Sequence, residues 1–315
     1  QNLVLALGNF DGVHRGHQAV LALARTLGQK SGVASGVLFF EPHPRRYFQP
    51  DTPYFRLTPQ PLKLRLMQGA GLDAAIIQPF NTELASSPAD EFISEILVKK
   101  YCVGHVIAGW NFRFGKGRAG DAALLARRGG ELGFAVTILE AQGSNDAEPI
   151  SSTRIRALLE AGKPLRAAEL LGYWWRISAS VIGGDHRGQA LGYPTANMIL
   201  DKGVNLAHGI YAVRVRVDGR RHAGAAYLGT RPTFGGGQVV LETFLLDFSG
   251  NLYGRELEVE FIEFLRGDEA FDNAEALTTQ MQRDCAAARD ILARLDVHDP
   301  IGQFAMQTAL DGQAI

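Results

Sequence analysis

The hydrophobic pattern of this chain changes partway along its length. Up to about residue 172, short apolar runs alternate with segments whose apolar residues recur at helical spacing. Beyond that point, apolar and polar residues alternate one by one, which is the period of strands with one buried face. The chain has 315 residues, enough for two domains at roughly 150 residues each. The change of pattern therefore predicts two domains of different fold class, 1–172 and 173–296, followed by a tail, 297–315.

The first domain shows the alternation of βαβ units. Its apolar runs read as buried strands: 3–8, 36–40, 73–80, 105–109 and 134–141. The segments between them have helical spacing: 18–27, 61–71, 89–101 and 121–132. Such alternation produces a parallel sheet covered by helices on both faces. Because ligands bind these sheets at the carboxyl ends of the strands, the loops after the strands are the places to look for chemistry.

The second domain has the pattern of a small antiparallel barrel or sandwich. Its period-two runs are separated by glycine-rich turns: 175–183, 209–217, 221–229, 239–248 and 256–261. In the second of these runs Tyr211 and Val213 lie opposite Arg214 and Arg216, so we expect half-buried strands. An apolar stripe over 273–295 predicts one helix packed on the barrel, and the tail receives no role.

Composition narrows the class of function. Lys plus Arg number 32 and Asp plus Glu 33, a net charge of −1, so no overall positive field attracts nucleic acid or anionic lipid. Two cysteines, Cys102 and Cys285, are too few for a disulfide framework, which favours a reducing cytoplasm. No apolar run approaches the roughly 18 residues that span a bilayer, so we expect neither a membrane span nor an export leader. Because the chain begins at Gln1 with an apolar run already under way, we expect a short leading segment to be missing.

A glycine-rich loop, GNFDGVHRGH at 8–17, follows the first strand and leads directly into a helix; we call it the histidine loop. Glycines permit a tight turn, and the free N–H groups and positive dipole end of the helix favour bound phosphate. His14 and His17 can both reach one phosphate and donate hydrogen bonds to charge that develops there. A single histidine is more often a core or surface residue, but two on such a loop favour a functional site.

The segment ISSTRIR at 150–156 opens another helix with hydroxyls and arginines. Taken alone, it reads equally well as a helix N-cap followed by solvated arginines. Together with the histidine loop it predicts a polyphosphate clamp, in which Ser152 and Thr153 supply hydroxyls and Arg156 supplies a planar fork.

The segment GWNFRFGKGRAGD at 109–121 contains a formal GxGxxG, with Glu140 about twenty residues beyond it. We reject a dinucleotide fingerprint because residues 110–114 separate the strand from the glycines. It is also no Walker loop, since neither Ser nor Thr follows Lys116. Phe112 and Phe114 suit stacking on a flat aromatic ligand, and the alternative is that both are core residues.

In the second domain, GGDHRGQALGYPTAN at 183–197 predicts a phosphate site. Four glycines would let the backbone approach a ligand: Gly183, Gly184, Gly188 and Gly192. After Pro194, Thr195 and Asn197 lie two apart and face the same side of an extended chain. Thr195 could supply an oxygen to Mg²⁺ or phosphate, whereas the alternative reading is a simple turn.

Glu242 lies inside the apolar strand VVLETFLLDF, where a carboxylate is costly unless it is paired or used. Such surroundings can raise a carboxyl pKa toward that of a useful base. The alternative is an ion pair with an arginine on the next strand. Arg266 and Phe271 follow at the expected mouth of the barrel.

The order of the motifs resembles the bacterial bifunctional riboflavin kinase/FAD synthetase family. GNFDGVHRGH, FEPHP, NFRFGKGRAGD and ISSTRIR resemble its adenylyltransferase half, and VIGGDHRGQALGYPTAN, GTRPTFGGG and LETFLLDFSGNLYGRELEVEFIEFLR its kinase half. The resemblance implies a Rossmann-like HxGH nucleotidyltransferase domain that converts FMN and ATP to FAD and pyrophosphate. It further implies a β-barrel with a C-terminal helix that converts riboflavin and ATP to FMN and ADP.

The resemblance also implies residue roles. Those expected around ATP in the first domain are Gly8, Asn9, Phe10, His14, Gly16, His17, Asn111, Ser152, Thr153 and Arg156, with Phe40, His43 and Phe114 near the flavin. In the second domain the ATP and Mg²⁺ residues are Gly184, Gly188, Gly192, Pro194, Thr195 and Asn197, and Thr195 binds the metal. Glu242 is the implied base, and Arg266 lies near the reacting groups. Two departures, Pro149 for arginine and Phe244 for histidine, are expected to change the triphosphate grip and the packing, respectively.

These expectations name riboflavin, FMN, FAD and ATP as ligands, with neither nucleic acid nor membrane as partner, in a monomer or weak homo-oligomer. Two alternatives stay open. An aminoacyl-tRNA synthetase of the HIGH type is disfavoured by the near-neutral charge and the lack of a basic extension. A flavin-binding module without turnover would bind flavin but release no ADP or pyrophosphate.

Overall fold

The structure, a computed structural model, describes residues 2–140, 143, 148–183, 193–231 and 238–312. The chain divides into two compact units, Gln1–Ser152 and Thr153–Ile315. The boundary between functional domains that the sequence predicts at residue 172 stays a prediction.

The first unit is built on a parallel sheet of five strands, as predicted. The strands are β1 (Leu3–Leu7), β2 (Ser35–Glu41), β3 (Ala74–Pro79), β4 (Val103–Gly109) and β5 (Ala135–Leu139). Their order across the sheet is β3-β2-β1-β4-β5, and every neighbouring pair is parallel. The chain therefore reverses its winding between β1 and β4, and a crevice opens beyond the carboxyl ends of these two strands.

Helices connect the strands of this unit. They are α1 (Arg15–Ser31), α2 (Pro44–Phe48), α3 (Gln60–Gly69), α4 (Thr82–Ser86), α5 (Ala89–Glu91) and α6 (Ala122–Leu132). A π-helix over Phe92–Lys100 continues α5, and a short 3₁₀ turn covers Lys116–Arg118. Leu5, Val106 and Phe92 are among the buried residues of one core cluster between the sheet and the π-helix.

The second unit combines two helices with an antiparallel sheet. Helix α7 (Ser152–Glu160) begins at the last residue of the first unit, and α8 (Pro164–Leu171) follows. The strands are β6 (Arg176–Ser180), β7 (Ala196–Ile199), β8 (Gly209–Val217), β9 (Arg220–Arg231), β10 (Gln238–Leu245) and β11 (Glu256–Arg266). Their order is β6-β11-β8-β9-β10-β7. Ile182, just past β6, bridges to Asn197 in β7, so the two edge strands approach each other and the sheet nearly closes into the predicted barrel.

The expectation of half-buried strands in this unit is wrong for β8 and β11. Arg214 and Arg216 are 7% and 8% exposed, and Glu258 and Glu260 on β11 are 4% and 3% exposed. The arginines and glutamates pair with one another across the strands, so the polar face is covered as well as the apolar one. A period-two pattern alone does not reveal such a cover.

The C-terminal part contains two helices, α9 (Ala274–Val297) and α10 (Ala305–Gly312). Ala288 and Leu292 of α9 pack with Trp174, Ala212 and Ile262, which confirms the predicted helix on the barrel. Helix α10 lies in the tail to which the sequence assigned no role. Among the described residues, no helix is both long and apolar enough to cross a membrane.

Candidate active sites

The first candidate site lies at the crevice between β1 and β4. Gly8 and Asn9 follow the carboxyl end of β1, and Asn111 follows that of β4. Asn9 and Asn111 are exposed, while Gly16 lies in the first turn of α1. The sheet thus brings together residues that are about a hundred positions apart in sequence.

His14 closes the loop as the N-cap of α1. Its Nδ1 accepts a hydrogen bond from the His17 backbone N–H at 3.3 Å, and the two imidazoles stack with centroids 3.6 Å apart. Because Nδ1 accepts, the proton of the neutral ring lies on Nε2. His14 therefore offers an Nε2–H donor beside the start of a helix, the place where phosphate is favoured.

The surroundings of His17 favour its neutral imidazole. Burial lowers its pKa well below the usual value, and a positive charge on His14, when that ring is protonated, or on Lys63 lowers it further. Phe10 packs edge-on against the imidazole at a centroid distance of 5.1 Å. The Nδ1 atom of His17 is buried and meets no hydrogen-bond partner in the described part of the chain. A bound anion beside this ring would act in the opposite direction and raise the pKa of His17.

The carboxylate of Asp11, a residue of the loop itself, fixes the shape of the loop. Asp11 Oδ1 accepts from the backbone N–H groups of Leu57 and Thr58 at 3.0 and 3.1 Å, and Oδ2 accepts from the Tyr54 hydroxyl at 3.0 Å. The Gly12 N–H donates to Thr58 Oγ1 at 2.9 Å. The segment before α3 therefore anchors the histidine loop from below, although sequence reasoning assigned it no role.

The loop backbone is strained. Phe10 and Val13 adopt φ values of 50° and 37°, the left-handed region that non-glycine residues rarely occupy. Phe10 is also almost fully buried, at 1% exposure. Strain of this kind persists only where surrounding contacts determine it, and it concentrates at functional sites.

Ser152 of the predicted polyphosphate clamp contacts this loop. Ser152 Oγ donates to the Asp11 carbonyl oxygen at 2.7 Å, which connects the start of α7 to the histidine loop. Thr153 and Arg156 follow on the same helix but belong to the second compact unit. Their part in binding ATP stays a prediction.

The residues predicted near the flavin lie in two places. Phe40 and Phe114 are buried in the core cluster of the first unit, where Phe112 stacks on Phe114 with centroids 5.6 Å apart. His43 is the N-cap of α2, and its ring stacks on Tyr54 at 4.9 Å. Packing alone accounts for Phe114, as the alternative reading expected, and the flavin roles of these residues stay predictions.

The second candidate site is in the barrel. Glu242 of β10 stands directly opposite Asn197 of β7 in the antiparallel register, so their side chains share a face. The Asn197 side-chain amide donates to the Thr195 carbonyl oxygen at 3.3 Å, and Pro194 immediately precedes Thr195. The register thus places Asn197 beside Glu242, with Thr195 two residues before Asn197, and the roles of the three residues stay predictions. Gly184, Gly188 and Gly192 lie outside the described residues.

Arg266 is held by a residue that sequence reasoning missed. At the end of β11, its Nε and Nη2 donate to the carboxylate of Asp284 on α9, the latter at 2.8 Å. Gln280 donates to the same carboxylate at 3.0 Å, and Phe271 lies under the guanidinium at 5.7 Å. In the sheet, β8 and β9 separate β11 from β10, which carries Glu242.

The comparisons with known proteins match both units. A family model for FAD synthetase matches residues 1–154, and one for riboflavin kinase matches residues 171–292. The bifunctional riboflavin kinase/FMN adenylyltransferase of Pseudomonas fluorescens is 41% identical over 291 residues, which cover 92% of this chain and 93% of that protein. The proteins of the same name from Escherichia coli K12 and Listeria monocytogenes are 38% identical over 291 residues and 35% identical over 298.

A solved structure described as a macrolide-efflux protein from Streptococcus pneumoniae is 27% identical, with a TM-score of 0.83 over 92% of this chain and 94% of that one. The agreement extends along almost the whole chain in sequence, and both family models occur in the order that the two sites require. The chain therefore belongs to the bifunctional riboflavin kinase/FMN adenylyltransferase family.

Proposed function

We propose that the chain performs two successive ATP-dependent reactions on flavins, one in each compact unit. The second unit phosphorylates riboflavin to FMN and releases ADP, and the first unit joins FMN to the AMP of ATP and releases pyrophosphate. The proposal is supported by the presence of two sites in one chain of this family. The histidine loop lies where the parallel sheet reverses its winding, between β1 and β4. In the barrel, the Glu242 carboxylate lies opposite Asn197 on the neighbouring strand.

In adenylyl transfer a phosphate oxygen of FMN attacks the α-phosphorus of ATP. The bond from that phosphorus to the bridging oxygen breaks, and pyrophosphate leaves with the electron pair. No covalent enzyme intermediate is needed, so the protein aligns the phosphates and stabilises charge that develops on them. The His14 Nε2–H and the N-terminus of α1 are suited to this work. The lowered pKa of His17 keeps its ring neutral until phosphate arrives.

In the kinase reaction the ribityl 5′-hydroxyl attacks the γ-phosphorus of ATP. Glu242 takes the proton of that hydroxyl, while ADP leaves with the electrons of the broken bond. Asn197, opposite Glu242 on the neighbouring strand, orients the phosphate or the hydroxyl. Arg266 would then supply positive charge near the reacting groups, in a direction fixed by Asp284.

The donors of the barrel site fit Mg²⁺. Thr195 and Asn197 offer neutral oxygens beside the Glu242 carboxylate, and Mg²⁺ prefers oxygen ligands and shares them with substrate phosphates. The described residues hold no cluster of three or more His, Cys, Asp or Glu that would form an all-protein metal site. When bound with ATP, Mg²⁺ would neutralise phosphate charge.

We place this activity in the cytoplasm and expect a monomer or weak homo-oligomer. Cys102 and Cys285 are both free thiols, as a reducing compartment would keep them. The ligands are riboflavin, FMN, FAD and ATP, and neither nucleic acid nor membrane is required by either reaction.

The experiment is a chromatographic assay of flavins with MgATP, started in parallel from riboflavin and from FMN. We expect Glu242→Gln to slow FMN formation by about 10²–10⁴-fold, the usual size of a general-base contribution. FMN should still become FAD in that variant. His17→Ala should have the reverse pattern. Glu256→Gln, at an exposed strand position, is the matched control and should leave both reactions intact.

Three outcomes would contradict the proposal. Loss of both reactions from either single substitution in a folded protein would mean that the sites are not separate. Flavin binding without release of ADP or pyrophosphate would favour a binding module. A parent protein that converts neither flavin would exclude the two reactions altogether.

A further inference from the structure

A lysine is buried beneath the histidine loop. Lys63 on α3 has no exposed surface, and its Nζ donates a hydrogen bond to the Asn9 carbonyl oxygen at 2.8 Å. The ammonium also lies 4.8 Å from the centre of the Phe39 ring on β2. A side chain that starts on a helix outside the loop therefore ends against the backbone of the loop.

This cation is costly to bury. No ion pair joins its ammonium to a carboxylate among the residues that the structure describes. Burial lowers its pKa to about 8, and the charge of Asp11 is the main influence in the opposite direction. A buried cation without a carboxylate partner destabilises a fold, so a structure that keeps one has a use for it.

The hydrogen bond of Lys63 fixes a whole peptide unit. The carbonyl of Asn9 and the N–H of Phe10 belong to one planar trans peptide, in which the two groups point in opposite directions. With its oxygen held by Lys63, that peptide directs the Phe10 N–H away from the Lys63 ammonium. Within the described residues this N–H donates to no acceptor.

The orientation of this peptide needs support. Phe10 has a φ of 50°, which costs free energy for a residue with a side chain. Rotation of the peptide into a relaxed conformation would exchange the two groups and turn the Asn9 oxygen toward the site. A carbonyl oxygen repels phosphate, whereas an N–H donates to it.

We propose that Lys63 is a positioning residue for adenylyl transfer: it holds the Asn9–Phe10 peptide so that the Phe10 N–H donates to the transferring phosphate. This inference rests on the proposed adenylyltransferase site. Lys63 does not contact the substrate; it acts through the backbone. The peptide supplies a donor that is preorganised for negative charge in the transition state.

The kinetic test uses Lys63→Met, which preserves the length and volume of the side chain but removes its donor. We expect kcat for FMN adenylylation to fall by about 100-fold, as when one preorganised donor is lost. KM for FMN should change little, and riboflavin phosphorylation by the same molecules should be unchanged. Lys99→Met, at a side chain 68% exposed, is the matched control and should retain both activities.

A second readout follows the peptide directly. Protein labelled with ¹⁵N-phenylalanine is titrated with Mg²⁺ and α,β-methylene-ATP, which cannot undergo the reaction, and the Phe10 amide is assigned by its loss in Phe10→Leu. In the parent protein this amide proton should shift downfield as it donates to phosphate. In Lys63→Met the shift should be lost.

The outcomes separate the two proposals. If the parent makes FAD and folded Lys63→Met does so at a similar kcat, the role of Lys63 is wrong while the proposed function stands. If Lys63→Met does not fold, the titration of the parent decides, because an unmoved Phe10 amide overturns the inference without any variant. A parent that makes no FAD refutes the proposed function itself.

Discussion

Two ionisable side chains of the first unit, the half-buried His17 and the buried Lys63, lie close enough for their charges to interact. Burial is the main cause of the lowered pKa of each, and the charge of Lys63 also lowers the pKa of His17. A group whose pKa is lower in the folded than in the unfolded protein makes the fold less stable as the pH falls. The lowered pKa values of His17 and Lys63 therefore make the first unit less stable at low pH, and both side chains lie at the histidine loop.

The effect of Lys63 on stability can be measured over a defined pH range. The charged groups that influence it or are influenced by it are Asp11, Glu41, Arg56 and His17. Its pKa is about 8 in the folded protein, whereas the ordinary pKa of a lysine side chain is 10.5. Since the unfolded chain binds the extra proton between these values, stability should rise with pH across that window. The gain should be on the order of 3 kcal/mol, at about 1.4 kcal/mol per pKa unit.

The measurement is urea unfolding of the parent and of Lys63→Met between pH 7 and 10.5. Deprotonation of other groups affects both proteins, so the difference between them isolates Lys63. We expect the advantage of Lys63→Met to be largest at pH 7 and to shrink toward pH 10.5. A constant difference would show that Lys63 titrates alike in both states.

Asp284 provides a second prediction for a single residue. Asp284→Asn removes the charge that holds Arg266 in a bidentate pair, so the guanidinium should lose its fixed direction. We expect FMN formation to fall by at least about tenfold, mainly in kcat, because orientation of a charged group contributes in the transition state. Conversion of FMN to FAD should be unaffected in the same molecules.

The matched control is Asp247→Asn, which breaks an exposed pair with Arg289 on the same helix α9. Steady-state kinetics with riboflavin should separate the two variants. Equal rates in Asp284→Asn and Asp247→Asn would show that the direction of Arg266 does not matter for the kinase.

At the scale of elements, an ionic network covers one face of the barrel. Across the strands, Arg176 pairs with Glu258 and Glu260 at 2.9 and 3.0 Å, and Arg214 pairs with Glu260 at 2.8 Å. The segment after α9 completes the network with two aspartates. Asp299 pairs with Arg214 at 3.0 Å, and Asp311 pairs with both Arg216 and Arg221. The four arginines thus meet four carboxylates, two of them supplied by the tail.

Substitution of Asp299 tests how much this ionic network contributes to stability. Besides Arg214, its carboxylate accepts from the indole Nε1 of Trp174 at 3.0 Å and from the Ile301 N–H at 2.9 Å. We expect Asp299→Asn to lower the free energy of unfolding of the second unit by about 2–3 kcal/mol, because it leaves a buried arginine with one fewer counter-charge.

The measurement is urea unfolding followed by tryptophan fluorescence. Asp218→Asn breaks an exposed pair with Arg255 and should cost less than about 1 kcal/mol. A similar small cost in both variants would mean that the tail contributes little to the stability of the barrel.

The elements that the sequence predicted correctly are those with a strong local period. The five parallel strands and helix α9 have apolar residues at a spacing that matches one conformation, and the structure confirms them. The cover of β8 and β11 was not predictable in this way. It depends on Asp299 and Asp311, which lie 85 and 95 residues beyond the arginines that they meet.

The residues of the two candidate sites likewise divide into those that the sequence indicated and those that it did not. The histidine loop and the Asn197–Glu242 pair were visible because their residue types are costly or unusual in those positions. Asp11 and Asp284 were missed, since a carboxylate in a loop or on a helix is ordinary until its partners are known. Lys63 did leave a signal: it shares a helix face with Leu66 and Met67, where a lysine should not be buried without cause.

At the scale of the whole molecule, the net charge of −1 matters more than any local cluster of basic residues. Binding to nucleic acid depends on the release of counterions by many lysines and arginines. Titration with tRNA should therefore show no tight, salt-sensitive complex. Tight binding that weakens steeply between low and physiological salt would revive a synthetase-like function.

The ionic cover on the barrel also has a consequence for the order in which the chain is made. Translation delivers Arg214 and Arg216 long before Asp299 and Asp311, with 85 and 95 positions between the members of the two pairs. While the sheet emerges from the ribosome, the glutamates of β11 are the counter-charges that the described part of the barrel supplies to these arginines. The barrel face therefore carries excess positive charge throughout that interval, and the kinase unit reaches its balanced charge only when the tail has been synthesised.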